Sequence, residues 1–230
     1  MLIGGLQKTS LLDYPQKVSA IIFTISCNFR CPFCYNSNLV TKINKGDILP
    51  PADIFEFLKR RKKVLDAVVI TGGEPTRHAD LPEFIRKIKE MGFLVKLDTN
   101  GTNPSMLKKL IQDKLVDYLA MDIKGPLPKY SKIVNVTVST KKIRESIKII
   151  MHSNLPYEFR STILPALHSR SDLEKMAKLI KGAKKYYLQK FQATGDLNNQ
   201  DFNNYKSFTD QEMHDLCDLA KNYVEKCGVR

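Results

Sequence analysis

Short apolar runs alternate with amphipathic segments along the chain, and this alternation constrains the fold more than any other feature of the sequence. The apolar runs predict six strands, at residues 18–24, 66–71, 93–98, 118–124, 157–164 and 186–191. Between them, apolar residues recur at helical spacing and predict helices at about 51–65, 81–91, 105–113 and 141–151. This order indicates parallel strands joined by crossover helices, and hence an α/β fold.

The length of the chain narrows the choice among α/β architectures. A complete eight-unit barrel usually takes about 250 residues. Six strand–helix units in 230 residues therefore predict an incomplete (β/α)6 barrel of the TIM type. An open doubly wound sheet fits the alternation almost as well. Both architectures place ligands at the carboxyl ends of the strands, so the segments that follow the strands are the candidates for function.

Two capping boxes predict where the last two helices begin. They are Ser171-x-x-Glu174 and Thr209-x-x-Glu212, a pattern in which the hydroxyl and the carboxylate each accept a backbone N–H at a helix start. The second box opens a C-terminal helix at about 209–226, after a polar, asparagine-rich loop at 197–207. No repeat or linker interrupts the sequence, and we expect a single domain over residues 1–230.

The composition excludes several classes of protein. With 43% apolar residues and a net charge of +13, the chain is not an acidic disordered protein. No apolar run approaches the roughly 20 residues of a membrane span, and the start lacks the pattern of a signal peptide. We therefore expect a cytoplasmic protein with no membrane partner. The basic runs at 59–63 and 181–185 fit solvated helix faces, and no aromatic-interleaved groove indicates a nucleic-acid partner.

Three of the five cysteines form a Cys-x3-Cys-x2-Cys cluster directly after the first predicted strand: Cys27, Cys31 and Cys34. Three thiolates so close together can surround one metal centre. A structural zinc site needs four ligands, usually as two pairs, so a distant residue would have to complete it. A [4Fe–4S] cluster suits three thiolates better. It would have one iron without a protein ligand, where a small molecule can bind. The spacing leaves both centres open.

Two motifs together resemble those of the radical S-adenosylmethionine (SAM) superfamily. The aromatic Phe33 precedes the third cysteine, and Gly72-Gly73-Glu74-Pro75 follows the second predicted strand. The resemblance implies the partial barrel of that superfamily, with the open iron bound by the amino and carboxylate groups of the methionyl part of SAM. It also implies that the Gly-Gly-Glu segment binds the amino group. The glycines suit that role because they let backbone approach a ligand closely.

Two strand ends resemble those of one group in this superfamily, the glycyl-radical-enzyme activating enzymes. Asp98-Thr-Asn100-Gly ends the third predicted strand, and Asp122-x-Lys124 ends the fourth. The resemblance implies that these side chains lie around SAM, and that Asp98 and Asp122 help to hold a monovalent cation near its carboxylate. It also places Arg160, on the fifth strand, near the methionyl group.

Two positions depart from the pattern of these relatives. Gln192 falls where a histidine near the cofactor is often found, and Tyr35 stands where many relatives also have a histidine. We include both in the predicted SAM site. The predicted catalytic residues are the three clustered cysteines and Lys124.

The opening segment, residues 5–18, resembles the start of the compact activating proteins of anaerobic ribonucleoside-triphosphate reductase. The resemblance implies an oxygen-sensitive oxidoreductase. Its reduced cluster gives one electron to SAM, which yields methionine and a 5′-deoxyadenosyl radical. That radical takes hydrogen from a glycine of a partner glycyl radical enzyme. A flavodoxin- or ferredoxin-type protein would supply the electron.

Three alternatives stay open at this level. One is a radical SAM enzyme that acts on a small molecule such as a nucleobase precursor. Another is a radical SAM enzyme that modifies RNA or a peptide. The last is a zinc-binding module without enzymatic activity.

The remaining cysteines and the histidines carry no predicted site. Cys217 falls on the apolar stripe of the last helix and is predicted to lie in the core. Cys227 follows that helix, near a frayed terminus. The four histidines have no metal-binding spacing, and we expect them at the surface: His78, His152, His168 and His214.

Overall fold

The computed structural model of the chain describes residues 1–41, 43–193 and 196–230. These residues contain eight strands: β1 (Ile3–Ser10), β2 (Ser19–Thr24), β3 (Ala67–Gly72), β4 (Leu94–Thr99), β5 (Tyr118–Asp122), β6 (Tyr157–Ile163), β7 (Tyr186–Lys190) and β8 (Cys227–Val229). Each strand lies in the sheet beside the next strand along the chain. The same residues contain eight α-helices: α1 (Ser37–Val40), α2 (Pro51–Arg61), α3 (Leu81–Glu90), α4 (Pro104–Gln112), α5 (Tyr130–Ile133), α6 (Thr140–Met151), α7 (Arg170–Leu179) and α8 (Asp210–Lys221).

The described residues fall into two compact units. The first comprises residues 1–28, 36–99 and 103–119, and the second comprises residues 29–35, 100–102 and 120–230. Strand β5 contributes its first two residues to the first unit and its last three to the second. The single domain expected over residues 1–230 stays a prediction.

In the first unit, β2, β3 and β4 run parallel, and β1 runs antiparallel to β2. Strand β3 begins Ala-Val-Val-Ile, and all four residues are fully buried. This is the composition of a parallel strand that is covered on both faces. Helix α2 begins with Pro51, whose fixed φ suits the first helical position and whose missing N–H costs nothing there. Helix α3 is followed by Gly92, which continues the chain with a φ of +92°.

In the second unit, β6, β7 and β8 run parallel. Helix α6 buries Ile143, Ile147 and Ile150, which recur at the three- and four-residue spacing of one helix face. Helix α8 buries an equivalent stripe that includes Met213 and Leu216. These apolar faces supply the core of the unit.

The six strands predicted from apolar runs are all present, as β2 to β7. Sequence reasoning missed β1 and β8. Strand β1 reads IGGLQKTS, which has neither the alternation nor the apolar run of a typical strand. Strand β8 has only three residues. It begins just after the last helix was expected to end, at about residue 226, and α8 itself ends earlier, at Lys221. In the described part of the loop predicted at 197–207, Gln200–Asn204 forms a 3-10 turn. No described helix is long and apolar enough to cross a membrane.

The predicted cap of α7 was wrong by two residues, whereas the predicted cap of α8 is confirmed. Ser169, not Ser171, is the N-cap residue, because its hydroxyl accepts the N–H of Asp172 and the Asp172 carboxylate accepts the N–H of Ser169. Aspartate therefore performs the role that the sequence pattern assigned to Glu174. In α8 the capping box is Thr209 with Glu212, as predicted.

The two serines before and at the start of α7 make the cap testable. We expect Ser169→Ala to lower the free energy of unfolding by about 1 kcal/mol, because the Asp172 N–H loses the hydroxyl that accepts it at the helix start. Ser171→Ala, at an exposed position of the same helix, should change it by less than about 0.5 kcal/mol. Urea unfolding of both variants measures this difference. Equal effects would contradict the observed cap.

Candidate cofactor site

The Gly72–Gly73 turn at the end of β3 packs directly on the segment that leads into the cysteine cluster. A Cβ at Gly72 would lie 2.4 Å from the backbone nitrogen of Thr24, and one at Gly73 would lie 2.1 Å from the carbonyl oxygen of Ser26. Gly72 also has a φ of +109°, which L side chains rarely adopt. The glycines are therefore required by close packing between two strand ends.

Backbone hydrogen bonds tie these two segments together. The N–H of Gly73 donates to the Thr24 carbonyl at 2.8 Å, and the N–H of Glu74 donates to the Ser26 carbonyl at 2.8 Å. Ser26 itself has a φ of +78°, a left-handed conformation in a residue with a side chain. The structure thus fixes the residue immediately before Cys27. Cys27 is partly buried in this first unit.

The carboxylate of Glu74 is buried and held in one orientation. It is 1% exposed, and its Oε1 accepts hydrogen bonds from the Thr99 hydroxyl at 2.7 Å and from the Thr76 N–H at 3.1 Å. The Thr76 hydroxyl donates to the same oxygen. Donors that converge on one carboxylate oxygen stabilise its ionised form. Pro75 is also buried, at the first position of a short 3-10 turn.

Asp98, on β4, is paired with a lysine that sequence reasoning missed. Lys96 Nζ lies 2.8 Å from Asp98 Oδ1, and the two side chains are 2% and 9% exposed. Residues two apart on a strand share one face, so the pair is a direct consequence of the β conformation. The signal in the sequence was a lone lysine inside an otherwise apolar run. Asn100 lies in the second unit, where its Oδ1 accepts from the N–H and the hydroxyl of Thr102.

The cysteine loop of the second unit carries Cys31 and Cys34. The N–H of Cys34 donates to the Cys31 carbonyl at 3.2 Å, which forms a tight turn. The Asn198 side-chain amide donates to that carbonyl at 3.0 Å. Cys31 and Phe33 are buried, and Cys34 is partly buried. The backbone of this loop is therefore anchored from the polar loop that follows β7.

Tyr35 and Gln192 are brought together, but through the backbone of Gln192. The N–H of Gln192 donates to the Tyr35 hydroxyl at 2.8 Å. The Tyr35 ring stacks on Phe191 with centroids 5.9 Å apart. Burial raises the pKa of Tyr35 and the hydrogen bond partly offsets this. The side chain of Gln192 is exposed. Tyr35 thus links the cysteine loop to the end of β7.

Asp122, Lys124 and Arg160 form one charged group, with Asp122 at the end of β5, Lys124 just after it and Arg160 in the middle of β6. Asp122 Oδ2 lies 3.2 Å from Lys124 Nζ, and Asp122 Oδ1 accepts from Arg160 Nε at 3.1 Å. Burial raises the pKa of Asp122, but Arg160 and Lys124 outweigh it and lower the pKa to about 2. Two cationic side chains therefore lie within ion-pair distance of one carboxylate.

Lys124 also lies close to the cysteine loop. Burial lowers its pKa, but Asp122 and the sulfur atoms of Cys31 and Cys34 outweigh burial and raise the pKa above its ordinary value. Lys124 therefore carries an ammonium charge beside two of the clustered thiols. Of the predicted site residues in the second unit, the structure groups Asp122, Lys124 and Arg160 with this part of the cysteine loop.

Buried polar side chains hold the backbone of residues 122–124. Tyr130 donates to the Asp122 carbonyl at 3.4 Å, Ser161 donates to the Ile123 carbonyl at 2.6 Å, and His168 Nε2 lies 3.0 Å from the Lys124 carbonyl oxygen. The Leu164 N–H donates to Nδ1 of the same ring at 3.4 Å. Nε2 therefore carries the hydrogen and donates it to Lys124.

The surface positions expected for two of the histidines were wrong. His168 is 1% exposed, because it satisfies two backbone groups. His78 is partly buried, and its Nε2 lies 2.9 Å from the Ile25 carbonyl oxygen. His152 and His214 are exposed, as predicted.

The two remaining cysteines are both buried. Cys217 lies in the core, as predicted, and Cys227 is only 7% exposed. Cys227 is therefore not at a frayed end, because it opens β8 and pairs with β7.

The sequence was also compared with families of known proteins. The profile of the Radical SAM superfamily matches residues 21–180, which is more than half of the chain. The chain belongs to the radical SAM superfamily. Enzymes of this superfamily use a [4Fe–4S] cluster and SAM, so the choice between zinc and an iron–sulfur cluster is settled in favour of the cluster.

Individual proteins show how far the similarity extends. A relative from Methanocaldococcus jannaschii, named "Putative glycyl-radical enzyme activating enzyme MJ1227", is 35% identical over 237 residues, which cover 100% of this chain and 95% of the relative. A GTP 3′,8-cyclase of Aquifex aeolicus is 31% identical over 146 residues, which cover 59% of this chain and 44% of that protein.

Solved structures extend the comparison to the fold. Streptococcus suis SuiB bound to S-adenosylmethionine has a TM-score of 0.71 at 15% identity, and the match covers 91% of this chain and 49% of SuiB. The radical SAM chain therefore spans about half the length of SuiB. Family and fold similarity together confirm the fold class predicted from the sequence.

The donor set of this radical SAM enzyme fits its cofactors. The thiols of Cys27, Cys31 and Cys34, which are not in disulfides, supply the ligand type that iron–sulfur clusters prefer. Each ligand of a cubane cluster binds a different iron, so the sulfur atoms need not converge on one point. In the part of the chain that the structure describes, no three His, Cys, Asp or Glu side chains do so. The buried carboxylate of Glu74 and the cationic group around Asp122 suit the ammonium and the carboxylate of an amino acid.

The environment of His168 predicts how stability changes with pH. Burial lowers its pKa below 6.5, while Asp172 and Lys129 act in opposite directions. Below about pH 6.5 the unfolded chain therefore takes up a proton that the folded chain resists. The contribution of neutral His168 to the free energy of unfolding is present above that pH and is lost as pH falls.

Urea unfolding of the metal-free protein between pH 8 and pH 5 tests this expectation. His168→Gln keeps a donor for the Lys124 carbonyl. We expect this variant to reduce the loss of unfolding free energy on acidification by up to about 1.4 kcal/mol per pH unit. His214→Gln, at an exposed position, is the matched control and should leave the wild-type slope. Parallel curves for all three proteins would show that His168 is not the group responsible.

Proposed function

We propose that this radical SAM enzyme is a glycyl-radical-enzyme activating enzyme, which installs a radical on a glycine of a partner protein. The observation that carries the proposal is the 35% identity, over 100% of this chain and 95% of the relative, to the protein of that name from M. jannaschii. Similarity over nearly the full length of both chains supports a shared activity better than similarity of the superfamily segment alone.

The cluster is held by the three clustered cysteines in this proposal. Cys27, Cys31 and Cys34 would each bind one iron, and the fourth iron would take the amino and carboxylate groups of SAM. When bound, the cluster supplies one electron to the sulfonium of SAM, whose C–S bond breaks to give methionine and a 5′-deoxyadenosyl radical. The thiolate ligands require reduced cysteines, which the cytoplasm maintains, and we propose that the enzyme acts there.

Glu74 and its glycines would receive the amino group of SAM. The Gly72–Gly73 turn brings backbone close to the cysteine segment, and Glu74 presents a carboxylate already fixed by threonine donors. A fixed carboxylate binds an ammonium group without further ordering of its side chain. Pro75 would hold the turn that follows.

The Asp122 group would receive the carboxylate of SAM. Lys124 and Arg160 both lie within ion-pair distance of Asp122, and their cationic groups are suited to pair with a carboxylate. Lys124, beside Cys31 and Cys34, would also balance the negative charge of thiolates. Asp98 and Asn100, at the end of β4, are the remaining residues that we propose to bind SAM.

Three predicted residues have less direct roles in the proposal. Phe33, which lies between Cys31 and Cys34 in the sequence, is buried and would shield one side of the cluster. Tyr35 would fix the cysteine loop through its hydrogen bond with the backbone of Gln192. Because the side chain of Gln192 is exposed, it would contact the cofactor only from the surface.

A glycine residue is a suitable target for this chemistry. In this proposal the glycine Cα would give up one hydrogen atom to the 5′-deoxyadenosyl group, which would leave 5′-deoxyadenosine and a Cα radical delocalised over two adjacent peptide groups. Each event consumes one SAM and one electron. We propose a flavodoxin- or ferredoxin-type protein as the electron donor, and a glycyl radical enzyme such as anaerobic ribonucleoside-triphosphate reductase as the partner.

The second candidate function is a radical reaction on a small molecule. It is favoured by the 31% identity to the GTP 3′,8-cyclase of A. aeolicus. That similarity covers 59% of this chain, so it carries less weight than the full-length similarity.

Electron paramagnetic resonance tests the proposal. Anaerobically reconstituted enzyme, SAM and a reductant are incubated with a co-encoded candidate glycyl radical enzyme. We expect a glycyl radical signal with wild-type enzyme and with Cys217→Ala, a cysteine of the core. Cys31→Ala should give no signal and no 5′-deoxyadenosine, because a cluster ligand is missing.

Two results would contradict the proposal in different ways. SAM cleavage without a glycyl signal, accompanied by turnover of a nucleotide such as GTP, would favour the small-molecule reaction. Unchanged SAM cleavage in Cys31→Ala would remove the assignment of the cluster itself.

A further inference from the structure

Strand β4 carries a lysine in the interior of the first unit. Lys96 is 2% exposed, and its Nζ lies 2.8 Å from Oδ1 of Asp98. The ammonium also lies 6.0 Å from the centroid of the Tyr118 ring, within reach of a cation–π interaction. Tyr118 belongs to an apolar cluster with Ile21 and Val69. Lys96 therefore places its amino group among apolar side chains and within ion-pair distance of one carboxylate.

A buried ammonium next to a buried carboxylate is costly to separate. Removal of one partner leaves an uncompensated charge away from water. Lys96 places a cation beside the buried Asp98 carboxylate from two residues away on the same strand face.

This arrangement bears on the monovalent cation predicted beside Asp98 and Asp122. In the first unit, Asp98 is paired with Lys96. In the second unit, Asp122 is paired with Lys124 and Arg160. Both carboxylates expected to bind the ion thus have cationic side chains of the protein within ion-pair distance. Neither carboxylate therefore requires a separate alkali cation as its counter-charge.

We propose that Lys96 is a positioning residue that acts as the internal counter-cation of Asp98, so that SAM binding does not depend on a monovalent ion at that carboxylate. The proposal rests on the proposed function, because it places Asp98 among the SAM-binding residues. A tethered ammonium has a fixed position and does not dissociate. The site is thereby preorganised at any concentration of sodium or potassium.

The first experiment uses the wild-type enzyme. SAM affinity is measured by equilibrium binding to the anaerobically reconstituted protein, in choline chloride and in potassium chloride of equal ionic strength. Choline is too large to enter a site built for an alkali cation. We expect the two dissociation constants to agree within about twofold, whereas a difference of about tenfold or more would overturn the proposal.

The second experiment replaces the lysine. In choline chloride, Lys96→Met should weaken SAM binding on the order of tenfold or more, because Asp98 loses its counter-charge. Potassium chloride should restore much of that loss, since a potassium ion can take the vacated place. Lys96→Arg should bind SAM in choline chloride much as the wild type does. Lys109→Met, which removes an exposed ion pair with Asp113, is the matched control and should have no effect.

The outcomes separate this proposal from the proposed function. If Lys96→Met binds SAM as the wild type does, or if no alkali cation restores its affinity, Lys96 has only a packing role. If Lys96→Met does not fold, the wild-type comparison of the two salts still decides. A wild-type enzyme that binds no SAM in either salt would contradict the proposed function, whereas binding that requires potassium would contradict only the role of Lys96.

Discussion

The close packing of the Gly72–Gly73 turn on the end of β2 is the constraint on which the rest of the candidate site depends. Neither glycine has room for a Cβ. The N–H groups of Gly73 and Glu74 donate hydrogen bonds to the carbonyl groups of Thr24 and Ser26. This contact joins the end of β3 to the residue before Cys27. It also fixes the direction in which Glu74 leaves the strand. A side chain at either glycine would have to separate two strand ends, and with them a cysteine from a carboxylate.

Charge at the strand ends is organised by pairing within short stretches of backbone. Asp98 has Lys96 and Asp122 has Lys124, each two residues away on the same strand or its extension. Arg160 adds a second cation to Asp122 from the next strand. Each carboxylate thus has a cationic side chain of the protein beside it, and for Asp122 these cations lower the pKa to about 2. Glu74 offers a buried carboxylate in the first unit.

The sequence predicted most of the fold because six of the strands are continuous apolar runs with helical segments between them. The same reasoning missed β1, whose glycines and polar residues have no alternation. It also missed β8, because three residues are too few to form a pattern. Two overlapping cap patterns, at Ser169 and Ser171, look alike until hydrogen bonds are seen. The cysteine and Gly-Gly-Glu motifs identified the superfamily because their spacing is specific. Lys96 and His168 were missed since single polar residues form no pattern, and only the tertiary structure shows that both are buried and which groups they contact.

The central claim is that three cysteines of this chain hold a cluster whose fourth iron binds SAM. Mössbauer spectroscopy of protein reconstituted anaerobically with isotopically enriched iron tests it most directly, by comparing spectra without and with SAM. We predict about four irons per chain in a cubane cluster, with the signal of a single iron site changed by SAM. A spectrum that SAM leaves unchanged, or a chain that retains zinc and no cluster, would contradict the account.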